Sequence, residues 1–277
     1  MSGNPAIKTT MHIAIKDWMA KILQNAQENI RSKEKHVGKP SLYELFLPDE
    51  IYKGATFERQ FVLEFREIWK DLVVAVAKQY WGHCVKNYEV FGTIKSGRLR
   101  RIAQVLNARY SAEREKTETN TDWQTELSYV LKGKGQPIPV PVTCDIYVED
   151  PVRHKKYAFN LLALLSDSDH PKISKEKLFK LYSMEPAQLD GAYYALSYNL
   201  DEERKDGSWD SPARWFNLKE DPVILSGDEF WERIGEGGGN QALIEAITEI
   251  GQEYKKRIYR EYLGIEPPEE ADLGVLS

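Results

Sequence analysis

The chain has 277 residues, with 38 Lys and Arg against 43 Asp and Glu and a formal net charge of −5, so no whole-molecule field draws it to nucleic acid and any phosphate contact has to come from local basic patches. Hydrophobic residues make up 42% and charged residues 29%, with seven tryptophans and fifteen tyrosines, which argues for a globular protein and against a disordered one. Cys84 and Cys144, without CxxC spacing, argue against a disulfide framework or a structural zinc, and no apolar run approaches the ~20 residues of a membrane helix. The opening MSGNPAIKTTMH lacks the basic-then-apolar layout of a secretory signal, so the expected location is cytoplasmic with no membrane partner.

From Thr9 to about Lys33, the residues Met11, Ile15, Trp18, Ile22, Ala26 and Ile30 recur at steps of three and four, the stripe of an amphipathic helix. A polar linker with Gly38 and Pro40 leads to a second helix, with Thr56 as expected N-cap and Phe57, Phe61, Phe65, Trp69, Leu72 and Val76 as its apolar face, ending near Gly82. Shorter helices are expected at 97–107 and 122–131, around the solvated run SAEREKTETNT. After KGKGQP the period changes. Ile138, Val140 and Val142 alternate with Pro139, Pro141 and Thr143, and Ile146 and Val148 flank Tyr147, a strand whose prolines suit an edge or entry position. The nearly continuous apolar run 157–165 reads as a central strand covered on both faces. Ser174 caps an expected helix through Met184, AYYALSY and PVILSG give two strands, Asp228 opens a short helix, and a long helix runs from about Gln241 to Leu263. Together these make an α/β fold, a small mixed sheet flanked by helices with helical N- and C-terminal parts. The expected organisation is one domain, 1–277, made of a helical extension 1–55, a core 56–264 and a loose tail 265–277.

Asp145 leaves the first strand of the hairpin, and fifteen residues later Asn160 lies in the second. Hydrolysis of a phosphodiester by a divalent metal needs carboxylates to hold Mg²⁺ and commonly a lysine to orient water or meet developing charge. Two adjacent strands supply such groups at one end of a sheet. Asp145 alone is weak evidence, because acids flank strands routinely.

The layout resembles the PD-(D/E)xK nuclease fold, and the stretches CDIYVEDPVRHKKYAF, SKEKLFKLYSMEP, ARWFNLKEDPVILSGDEFWERIG and YKKRIYREYLGIEPPE resemble the TdeIII-like type II restriction endonucleases, over roughly residues 56–268. That resemblance implies a Mg²⁺-dependent homodimer that cleaves double-stranded DNA at short GC-rich sites of the GGNCC kind, with no nucleotide cofactor. It implies Asp145 as the first metal-binding acid. The family's Glu-x-Lys falls on Asn160 and Leu162, an amide and an alkyl group where an acid and a cation belong. Replacement donors are available in Asp167 or Asp169 as metal ligands and Lys172 as catalytic cation, with Glu58 as an outer acid. The phosphate contacts expected are Lys172, Lys175 and Lys177, with Lys95 and Arg98 from KSGRLRRI.

Further basic clusters, Arg153 to Lys156 and KKRIYR, are as common on solvated faces as on DNA-binding ones. GEGGG lacks the Lys-Ser/Thr of a phosphate loop and reads as a connector. His83, His154 and His170 match no ligand spacing. Three functions compete: a restriction endonuclease, an inactive relative that binds DNA without cutting it, and a helical oligomeric interaction protein whose sheet is only scaffold.

Overall fold

Aromatic and aliphatic stripes on long helices build one part of the fold, and a mixed sheet builds the other. In a computed structural model the described residues are 5–35, 45–115, 122–162, 169–196, 210–235 and 238–268. The chain divides into two compact units, Met1–Val76 with Gly237–Ser277, and Ala77–Glu236. These boundaries differ from the expected ones at 55/56 and 264/265. The expected tail beyond 268 lies outside the described residues.

In the first unit, α1 (Pro5–Lys35) buries Met11, Ile15, Trp18, Ile22 and Ala26, as its period requires. It packs against α8 (Gly239–Arg257), where Lys8 pairs with Glu245 at 2.8 Å and Glu249 at 2.9 Å. Helix α2 (Asp49–Ala77) carries the aromatic face: Trp18 meets Phe61 and Phe65 at 4.8 and 5.3 Å, and Phe65 stacks on Trp69 at 5.8 Å. Thr56 is not its cap. The hydroxyl instead donates to the Tyr52 carbonyl one turn back, at 2.9 Å, and Asp49 and Glu50 provide the negative charge at the helix start. After α8 the chain continues as a π-helical segment, Ile258–Leu263.

The second unit holds a five-stranded sheet in the order β1-β2-β3-β4-β5. Strand β1 (His83–Lys95) runs antiparallel to β2 (Pro137–Asp150), from His83 opposite Glu149 to Lys95 opposite Pro137. Strand β3 (Lys155–Leu161) returns antiparallel to β2 through a turn whose Asp150 carboxylate accepts from the Val152 and Arg153 amides. Strands β4 (Gly191–Leu196) and β5 (Ile224–Ser226) then add in parallel. This is the small mixed sheet flanked by helices expected of an α/β nuclease-like fold. Residues 163–165 of the expected central strand lie outside the described residues.

Helices α3 (Ser96–Glu115), α4 (Trp123–Leu131) and α5 (His170–Tyr182) join the sheet in one apolar core, where Trp123 stacks on Phe179 at 4.5 Å. Asp122 caps α4 through the Thr125 amide at 2.8 Å. Helix α5 begins four residues before the expected Ser174, which is buried within it, because Pro171 fits the first helical turn. The short helices α6 (Asp210–Trp215) and α7 (Gly227–Ile234) flank β5. At Gly97 a Cβ would stand 2.1 Å from the Lys134 carbonyl oxygen, so the start of α3 and the entry to β2 lie backbone against backbone. Among the described residues no helix is long and apolar enough to cross a membrane.

Candidate active site

Strand β2 comes apart from both neighbours at one residue. The β1 ladder pairs Lys86 with Ile146 and Tyr88 with Cys144, passing over Asn87 and Asp145. Asn87 has a positive φ of 53°, a left-handed turn of the backbone that asparagine tolerates better than most residues. On the other side the β3 ladder begins only at Ile146 opposite Phe159. Val142 and Cys144 before the break and Tyr147 after it all enter the same core, so the strand's alternation changes phase here. The Asp145 carboxylate fills the gap, its Oδ2 accepting the Leu161 amide at 2.8 Å.

Asn160, one residue before that amide, is 1% exposed, and among the described residues neither its Oδ1 nor its Nδ2 has a hydrogen-bond partner. A buried unbonded amide costs about 1–3 kcal/mol, so a polar group this enclosed marks a place where another partner belongs. Beside it in the parallel register lies Tyr194, whose hydroxyl is 3.5 Å from His170 Nδ1 at the start of α5. Leu162 is 4% exposed in the core cluster, with its amide donating to the Ala195 carbonyl at 2.9 Å. The Cys144 thiol, fully buried next to Asp145, is pushed up to about 12 by burial and by the Asp145 carboxylate, while the cation of Lys177 pulls the other way.

The expected cations are distributed unevenly. Lys175 is fully buried, 2.6 Å from Glu126 Oε2 and donating to the Trp215 carbonyl, and Arg98 is buried on the Leu131 and Ser183 carbonyls and on Glu185. Neither can meet a phosphate without leaving the core, which corrects the expectation for both. Burial drives Lys175 down to about 8, and the nearby Arg109 adds to that against the opposing pull of Glu126. Lys95 pairs with Glu185 at 2.9 Å. Lys172 sits over the rings of Tyr110 and Trp215, 5.2 and 5.9 Å from their centroids. Lys177 is half-buried on α5. In the hairpin turn Lys155 and Lys156 pair with Asp190 and Glu149 at 2.7 and 3.6 Å, so that basic run is locally neutralised.

Asp169 is exposed at the N-cap position of α5, with no side-chain cap bond. Asp167 lies outside the described residues, and Glu58 lies exposed on α2, in the first unit. Among the described residues no three His, Cys, Asp or Glu side chains stand together as a metal cluster. The donors gathered at the break are one carboxylate and one neutral amide oxygen. Mg²⁺ can be held by a single carboxylate when substrate phosphates and waters complete its shell, so Asp145 and Asn160 meet its minimum and no more. Elsewhere, at the hairpin end of the sheet, a cleft of about 980 Å³ is lined by Trp81, Tyr157 and Arg233 among both acids and bases.

Sequence reasoning gave no sign of the Arg109–Glu126–Lys175 cluster, since its members come from three helices and follow no local pattern. A five-stranded mixed sheet flanked by helices is consistent with a restriction-endonuclease-like fold. A family model described as "Type II restriction endonuclease, HinfI" matches residues 7–251. The chain belongs to this family of type II restriction endonucleases. No curated protein and no solved structure matches it.

Proposed function

We propose that the chain is a cytoplasmic, homodimeric, Mg²⁺-dependent endonuclease acting on duplex DNA at a GC-rich site of the GGNCC kind, and that its hydrolytic centre is the break in β2 at Asp145. The observation that carries this is the Asp145 carboxylate bound across the opening to the Leu161 amide, beside an asparagine with no partner. Asp145 and Asn160 Oδ1 are the groups that would hold the ion, which would polarise the phosphate and lower the pKa of its water. Asn160 offers a neutral amide where a second carboxylate would hold the ion more firmly, so cleavage is slow.

A digest tests this. Plasmid carrying GGNCC sites is incubated at high enzyme concentration with Mg²⁺ and then Mn²⁺, beside a mobility-shift assay across a salt series. Slow cutting that EDTA stops, with duplex binding that weakens as salt rises, is the expected result. Binding without a nick under either metal would favour the second reading, a DNA-binding relative without chemistry, for which the apolar seat of Leu162 speaks. Absence of any shift at low salt would remove DNA altogether and leave the interaction protein.

A further inference from the structure

Helix α5 places one lysine where the strand no longer does. His170, Ser174, Lys177 and Leu181 recur at steps of four, three and four and so share one face of the helix, and α5 packs on both β4 and β2. The start of this face is fixed over Asn160's neighbour, His170 Nδ1 lying 3.5 Å from the Tyr194 hydroxyl. Ser174 in its middle is 2% exposed. Just past the other end of the helix, the Glu185 amide donates to the Thr93 carbonyl of β1 at 2.9 Å and Met184 lies against Gly92, so the helix spans β3 and β2 between these two anchors. The face therefore crosses the sheet from β4 towards β1, and Lys177 lies on its stretch over β3 and β2.

Lys177 also differs from the other half-buried or buried lysines of this helix. Lys175 is paired with Glu126, Lys180 with Glu176 at 2.6 Å, and Lys172 is held over two rings, about 140° round the helix from Lys177. No hydrogen bond or ion pair engages Lys177 among the described residues. Its ammonium is thus not committed to a carboxylate among the described residues and can meet an anionic ligand.

We propose that Lys177, reaching in from α5, supplies the cation that Leu162 lacks, meeting the scissile phosphate at the Asp145 centre. This rests on the function proposed above. It makes a specific prediction: the acid at position 160 is the only missing part, and no lysine at 162 is needed.

The test uses Asn160→Asp, which keeps the size of the asparagine, with Asn160→Glu as the longer acid. Folding is followed by circular dichroism, DNA binding by mobility shift, and nicking on supercoiled plasmid with GGNCC sites and on a long duplex of mixed sequence. Asn160→Asp or Asn160→Glu alone should nick both in Mg²⁺. Adding Lys177→Met should slow nicking about 100-fold or more while binding changes by less than about threefold, and Lys177→Arg should keep part of the rate. Equal nicking with and without Lys177→Met overturns the assignment. So does inertness of both acid variants in folded, DNA-binding protein. In that event Asn160→Asp with Leu162→Lys separates the two ideas: cutting preserves the Asp145 centre and removes only Lys177, whereas continued inertness removes the centre as well.

Discussion

The sheet unit contains two enclosed polar clusters in opposite conditions. Around Glu126, every charge faces an opposite one: Arg109 at 2.5 Å and Lys175 at 2.6 Å, all three side chains below 10% exposure. Around Asn160 the amide has no bond on either atom among the described residues. The first arrangement ties three helices together and leaves nothing for a ligand to do. The second is a deficit held in place by packing, and such deficits persist in folds where a ligand completes them. Lysine count alone therefore misleads: Lys175 looks like a phosphate contact in sequence and is a strut in the structure.

The comparison can be broken most forcefully at Glu126. Glu126→Gln leaves Arg109 and Lys175 buried together without the carboxylate that both contact and should cost about 3–5 kcal/mol, read as a fall in the urea midpoint. A loss below 1 kcal/mol would mean the cluster is not closed. The pH dependence sharpens the same point. Lys175 titrates near 8 in the folded protein against 10.5 for an ordinary lysine, so between those values the unfolded chain holds more protons and the native state gains stability as pH rises. Across that window the stability of wild type relative to Lys175→Met should climb by roughly 2–3 kcal/mol; a flat difference would show that the amine is not desolvated.

The orphaned amide gives the smallest effect, and of the opposite sign. Asn160→Leu keeps the branched shape and removes the unbonded groups, so thermal unfolding should show a gain of about 1–2 kcal/mol. A loss of stability would mean that Asn160 has a partner after all, and the contrast between the two clusters would disappear.

Much of the architecture was legible because it is periodic. The stripes of α1 and α2 and the β2–β3 hairpin are written in steps of three to four and of two, and the mixed sheet followed from them. Strand β1 was not legible: Cys84, Val90 and Ile94 are its only buried apolar residues, and the left-handed Asn87 interrupts their alternation. Helix α2 extends seven residues before Thr56, whose hydroxyl is satisfied inside the helix as well as it would be at a cap. At the site, the strand position of Asp145 could be read from spacing. The phase change in β2 could not, since it arises from Asn87, more than fifty residues earlier in the chain. Nor could the burial of Lys175 against Glu126, while Lys177 two residues on stays half-exposed.

Cys144 carries a consequence for experiment. Its thiol is enclosed and held protonated far above neutral pH, so an alkylating reagent can reach it only when the floor beneath Asp145 lifts. The rate of labelling at that one sulfur thus serves as a clock for how often the centre breathes, and a DNA duplex seated over it should slow the clock.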